Sequence, residues 1–314
     1  MTPVVRLSII SPVFHSAPIV DDLVRRITAA ASSVTEDFEI ILIDDASPDD
    51  SWVRIVAAGA NDYRVKGIRL TRNFGQHQAI TAGLANAHGD YVIVMDCDLQ
   101  DDPRYIPTLV GKAKEGFDVV LTRRERRQSW TRKMCAKMFF RVFNALTDSS
   151  PVDSRIGGYS LISRKAVNSF LRFADVHRQY LLIVSWMGFK QATVSVDQNY
   201  RAAGRSSYTF RRLIRIAQDR ITSQTTKLLQ ISIGIGFAYV VAAVIGIACL
   251  INGYFHHGYL TGWASTIVLL LASTGLILVG IGILGIYLGN VFDQVRAHPL
   301  YLVQEHSNFA EPPR

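Results

Sequence analysis

The sequence predicts an α/β fold with a mostly parallel sheet, followed by two apolar helices long enough to cross a membrane. Two observations carry this. Between residues 7 and 121, short β-branched and apolar runs alternate with amphipathic stretches. That is the βαβα rhythm of a sheet covered by helices on both faces. Residues 228–292 contain no Asp, Glu, Lys or Arg.

Residues 7–13 read as a buried strand and 19–33 as a helix. A second strand over 39–43 precedes a helix that starts near Pro48, with Ser47 as its N-cap and Pro48 at its first position. Residues 67–70 form a third strand, 76–87 a helix, 91–95 a fourth strand and 118–121 a fifth. Ligands of such sheets sit at the carboxyl ends of the strands. This points to residues 12–13, 44–45, 71–75 and 96–101.

The organisation expected is an α/β catalytic domain over 1–200 and an amphipathic juxtamembrane segment over 201–227. Two membrane helices follow within 228–292, at about 229–251 and 262–289, and then a cytoplasmic tail over 293–314. Each apolar stretch exceeds the ~20 residues that cross a ~30 Å hydrocarbon layer. Gly-rich positions in the second could support association into a homo-oligomer.

The formal charge is +8, and of the 34 Lys and Arg only Arg296 and Arg314 lie beyond residue 227. Residues 123–141 hold eight basic side chains, among them Arg123 and Arg127, against Glu125 alone; residues 201–227 hold seven, among them Arg201 and Arg205, against Asp219 alone. Such blocks read either as solvated faces or as surfaces for membrane lipids and anionic headgroups. Nucleic acid is not expected as a partner, because no zinc finger, RNP motif or basic zipper is present. The positive-inside bias places the catalytic domain and both termini in the cytoplasm, with the short turn outside. Residues 1–12 lack the pattern of a signal peptide. Cys97, Cys135 and Cys249 have neither disulfide-framework nor zinc spacing.

Three stretches carry chemistry. In YVIVMDCDLQDD, over 91–102, a buried strand ends on Asp96 and Asp98. Alternate strand residues point the same way, so the two carboxylates would converge on a metal, Mg²⁺ or Mn²⁺, shared with substrate phosphates. A solvated acidic turn is the structural alternative. In IILIDDASPDD, over 40–50, Asp44 and Asp45 end the second strand, where carboxylates accept hydrogen bonds from a base or ribose. In TRNFGQHQAITA, over 71–82, Arg72 and Asn73 follow the third strand and Gly75 permits a tight turn. His77 reads equally as a titrating group, a donor-side hydrogen-bond partner or a surface residue.

Together SPVFH, IDDASPDDS, RNFGQHQAITAGL, GDYVIVMDCDLQDDP and RAAGRSSYTF resemble inverting family 2 glycosyltransferases of the GT-A fold. Within these the resemblance is to polyprenyl-phosphate transferases, such as dolichol-phosphate mannose synthases, GtrB-type glucosyltransferases and undecaprenyl-phosphate aminoarabinose transferases. It covers about residues 5–225. It implies a nucleotide-sugar donor, most simply a UDP-sugar, and undecaprenyl phosphate as acceptor at the bacterial inner membrane. Pro12, Asp44 and Asp45 would hold base and ribose, with Arg72, Asn73, His77, Asp96 and Gln100 also on the donor. Asp96 and Asp98 would hold the metal and act catalytically. Arg123, Arg127, Arg201, Arg205 and Ser207 would meet the acceptor phosphate. One departure stands out. Where relatives carry acids in a D-x-G-D-F-R-like motif, this chain has Arg155 and Gly158, and Asp153 is the carboxylate that could substitute. A diacylglycerol or glycan hydroxyl acceptor, or a non-catalytic membrane scaffold, are the alternatives.

Overall fold

The computed structural model describes residues 6–124, 156–176, 178–197, 227–257 and 262–309. The described residues divide into two compact units, one built on the sheet and one on the two long apolar helices.

The first unit opens with β1 (Leu7–Val13), a 3₁₀ turn (Ala17–Ile19) and α1 (Val20–Ser32). β2 (Phe38–Asp44), α2 (Ser51–Asn61), β3 (Val65–Leu70), α3 (Gln76–Asn86) and β4 (Tyr91–Val94) follow. A second 3₁₀ turn (Pro103–Tyr105) leads into α4 (Ile106–Lys114) and β5 (Val119–Arg124). Beyond residue 155 come β6 (Ile156–Ser163), α5 (Arg164–Leu171), α6 (Tyr180–Trp186) and β7 (Gln191–Val196).

These strands form one sheet in the order β7-β5-β6-β4-β1-β2-β3-β8, whose last strand is described below. The pairs β1·β2, β1·β4, β2·β3 and β5·β7 are parallel; β4·β6, β5·β6 and β3·β8 are antiparallel. β1 and β2 are buried at every residue, which explains their near-continuous apolar runs. Ile9, Ile40 and Leu42 pack on one face with Leu23 and Ile27 of α1. Ile10, Ile41 and Ile43 pack on the other with Ala79, Ile80 and Ala82 of α3. Each fully buried Ile or Leu stabilises the fold by about 1.5–3 kcal/mol.

The second unit contains α7 (Lys227–His257) and α8 (Trp263–Val295). Residues 229–246 and 272–295 average hydropathies of 2.0 and 2.1, and the described protein covers neither window. Ile233, Phe237, Leu278 and Leu288 are exposed. A hairpin in the core of a soluble domain would bury such side chains, whereas a bilayer solvates them.

After α8 the chain returns to the sheet unit as β8 (Val303–Ser307), antiparallel to β3. The Thr71 N–H donates to the Leu302 carbonyl at 3.0 Å, and the Asn308 side-chain amide reaches the carbonyls of Val65 and Tyr63 at 2.8 and 3.0 Å. The segment read as a tail thus includes an edge strand. If α7 and α8 both cross a bilayer, this pairing requires that the chain return to the side it left.

Candidate active site

The site lies where β1, β2 and β4 end, because parallel strands present their carboxyl ends on one edge. Val13 is opposite Asp44, and the Asp45 N–H donates to the Val13 carbonyl at 3.0 Å. Pro12, one residue earlier, is buried opposite Ile43.

The loops after β1 and β2 are laced together by short polar side chains. The His15 N–H donates to Ser47 Oγ at 3.1 Å, and the Ala17 N–H to Asp49 Oδ2 at 3.1 Å. Asp49 Oδ1 also accepts from Ser51 Oγ at 2.6 Å. Ser47 is therefore not the N-cap expected for α2, which begins four residues later at Ser51. Asp44 and His15 engage Ser47 instead, and Pro48 lies in the loop.

Asp44 is fully buried. Its Oδ1 accepts the Ser47 N–H at 3.1 Å, while Oδ2 lies 3.5 Å from Arg69 Nε without a hydrogen bond. Burial pushes its carboxyl up, against the opposing hydrogen bonds of Ser47 and the charge of Arg69. An N–H or O–H donor arriving at Oδ2 would favour the anion again.

Asp45 has a different task. Its two oxygens accept the N–H groups of Phe74 and Gly75 at 2.7 and 2.9 Å, although burial raises its pKa overall. It fixes the loop between β3 and α3. Gly75, at φ +107°, makes that turn, a conformation a side chain would strain. Arg72 is exposed, with its guanidinium 4.2 Å over the Phe74 ring, and Asn73 is exposed beside it. Asp45→Ala is expected to leave both amides without their acceptor. Each hydrogen bond to a charged group contributes about 1.5–3 kcal/mol, so exchange at Phe74 and Gly75 should accelerate at least about tenfold. Amide hydrogen-exchange mass spectrometry checks this.

The acidic turn follows β4. That strand ends at Val94, so Asp96, Cys97 and Asp98 lie in a turn rather than in extended strand. The two carboxylates are neighbours through the turn, not through strand alternation. Leu99 is buried at φ +56°, and Asp98 Oδ1 accepts the Gln100 N–H at 3.1 Å. Cys97 Sγ lies 3.3 Å from Ser16 Oγ, tying the turn to the loop after β1. Gln76 Nε2 donates to Asp96 Oδ1 at 2.6 Å. His77 Nδ1 accepts the Tyr180 N–H at 3.4 Å, so neutral His77 carries its proton on Nε2.

Strand β6 brings Gly158 beside this turn. A Cβ there would lie 3.6 Å from Asp96 Oδ1. Arg123, near the end of β5, pairs with Ile156 at the start of β6. The expected residues Asp153, Arg127, Arg201, Arg205 and Ser207 lie outside the described residues. Gln76 is the site residue that sequence reasoning missed, and the signal available was its place directly after the Gly75 turn.

Among the described residues no group of three or more His, Cys, Asp or Glu is arranged to hold a metal ion. Asp96 and Asp98 supply carboxylate oxygens and leave the rest of a coordination shell to a substrate. That suits Mg²⁺ and Mn²⁺, which bind through one or two carboxylates plus phosphates.

A mostly parallel α/β sheet with paired carboxylates after its fourth strand defines a glycosyltransferase of the GT-A fold. The model of glycosyl transferase family 2 matches residues 8–171. The chain is 32% identical over 311 residues to the uncharacterized glycosyltransferase YkcC of Bacillus subtilis (strain 168), covering 96% of this chain and 94% of that one. It therefore belongs to glycosyl transferase family 2. Among solved structures it is similar to glucosyl-3-phosphoglycerate synthase from Mycobacterium tuberculosis in complex with phosphoglyceric acid. The TM-score is 0.49 at 18% identity, over 71% of this chain and 80% of that one. The same enzyme with Mn²⁺, UDP and phosphoglyceric acid gives 0.49 at 17% identity, over 72% and 78%.

Proposed function

We propose that this enzyme moves a sugar from a UDP-sugar to undecaprenyl phosphate at the cytoplasmic face of the bacterial inner membrane, with inversion at the anomeric carbon. One observation carries the reading. The sheet that holds Asp44, Asp96 and Asp98 is continuous in sequence with two bilayer-length apolar helices and takes back β8 behind them. The catalytic unit would thus be confined to the surface where a lipid headgroup lies, and confinement raises effective concentration.

Pro12 and Asp44 would bind base and ribose, and Asp45 would hold the loop that carries Arg72 and Asn73. Asp96 and Asp98 would hold Mg²⁺ or Mn²⁺, which supplies charge neutralisation at the departing diphosphate. An acceptor phosphate oxygen attacks the anomeric carbon as the bond to the nucleoside diphosphate breaks. Arg123, with Arg127, Arg201, Arg205 and Ser207, would receive the acceptor phosphate.

The acceptor class follows from ionisation. A phosphate monoester is already anionic near neutral pH, whereas a hydroxyl acceptor needs a general base. Gly158 offers no base beside Asp96. With a diacylglycerol or glycan hydroxyl as acceptor, Asp153 would have to serve.

The test is a donor screen in detergent with Mn²⁺, scored by released nucleoside diphosphate. UDP release that requires undecaprenyl phosphate and stops with EDTA is the expected result. Equal release with diacylglycerol in place of the phosphate lipid would overturn the acceptor assignment.

A further inference from the structure

We propose that Gln76 is a positioning residue for Asp96, holding that carboxylate ready for a divalent cation, and that Gly158 keeps its other side open. This rests on the cation reading given above.

The geometry is a relay of fixed groups. Asp45, at the end of β2, binds the N–H groups of Phe74 and Gly75. Those bonds set the turn from which Gln76 opens α3. The Gln76 amide then donates to Asp96 Oδ1 at 2.6 Å, across twenty residues of sequence. One end of the relay is the end of β2 and the other is the turn after β4. Among the side-chain hydrogen bonds of the described residues, the one from Gln76 crosses from the β3–α3 loop to the acidic turn.

The chemistry of the donor matters. A carboxylate has about four acceptor positions on its two oxygens. A neutral amide occupies one of them and leaves the charge intact. A Lys or Arg at the same place would neutralise Asp96 and compete with the cation. Gln76 is exposed, so its removal takes little from the core. Its hydrogen bond fixes the orientation of a ligand rather than the stability of the fold.

Gly158 completes the arrangement. β6 is antiparallel to β4, with Val94 opposite Ser160. Continuing this register sets Gly158 opposite Asp96. A Cβ at 158 would sit 3.6 and 3.9 Å from the two carboxylate oxygens, which is ordinary contact. A longer side chain would extend over the carboxylate on the side away from Gln76. Partners that orient metal ligands typically change metal affinity by about 10–100-fold.

The experiment measures Mn²⁺ binding to the full chain in detergent by electron paramagnetic resonance, for wild type, Gln76→Met and Gly158→Val. Met keeps the length and helix propensity of Gln without its donor. The Mn²⁺ Kd of Gln76→Met should rise about tenfold with an unchanged Tm. Its kcat should recover at saturating Mn²⁺, so that the loss appears in the Mn²⁺ requirement. Gly158→Val should weaken binding in the same way. Wild-type binding with a Gln76→Met Kd within about twofold of it would overturn the proposal and spare the cation site. No Mn²⁺ binding by wild type would remove the cation reading itself, and the proposal with it. An unchanged Kd with a lowered kcat would place Gln76 in another role and also overturn it.

Discussion

Asp98→Ala is expected to reduce sugar transfer by about a thousandfold or more while the protein stays folded. Removing one electrostatic stabiliser of a developing charge typically costs about 10²–10³ in rate. Here the residue would also hold the group that neutralises the leaving diphosphate. The fold should survive, because Asp98 is half-buried in a turn and its Oδ1 caps the Gln100 N–H. Loss of that bond costs about 1–3 kcal/mol at most. Asp98→Asn separates the two effects. It keeps an acceptor for Gln100 but removes the charge, so it should be as stable as wild type and as inactive as Asp98→Ala. Released nucleoside diphosphate gives the rate, and a thermal melt in the same detergent gives the stability. Full activity of Asp98→Asn in metal-depleted buffer would sink the mechanism.

The part of this site legible in the sequence is the part set by local pattern. β1 to β4 are short apolar runs bounded by Asp, Pro and Gly, and the rule for parallel sheets then locates their carboxyl ends. The parts that depend on partners far away in sequence were not legible. β8 is VQEHS, polar because it is an edge strand, and only its register against β3 makes it a strand. The start of α2 moved from Pro48 to Ser51 because Ser47 is engaged by Asp44 and His15. Asp44 and Asp45 look equivalent as a pair of letters. One has an oxygen buried without a hydrogen bond and the other binds two backbone amides. Gln76 reads as an ordinary helical residue until the turn after β4 is folded beside it.

The amino end of the same sheet carries the largest expected stability effect, through Glu39. Its carboxylate is buried on β2. Oε1 accepts from Ser8 Oγ at 2.6 Å and from the His88 N–H at 2.7 Å, and Oε2 accepts from Lys66 Nζ at 2.6 Å. Ser8 Oγ in turn accepts the Gly89 N–H at 2.7 Å. One side chain therefore joins β1, β2, β3 and the loop into β4. Glu39→Ala would leave Lys66 as a half-buried charge and the His88 amide without its acceptor. Removing one partner of a buried pair costs about 3–5 kcal/mol. For a unit of this size each kcal/mol lowers Tm by about 2–4 °C, so a drop of about 6 °C or more is expected. Burial raises the Glu39 pKa, but the bonds from Lys66, Ser8 and His88 outweigh it and hold the carboxyl below its ordinary 4.5. A depressed carboxylate contributes stability that is fully present above the unfolded pKa and is lost as pH falls through the folded one. The gap in stability between wild type and Glu39→Gln should therefore be constant near neutral pH and narrow below about pH 4.5. Denaturant unfolding of the two proteins across that range reads it directly. A gap that stays constant through the acid range would show that packing, rather than the ionised carboxylate, holds the three strands together.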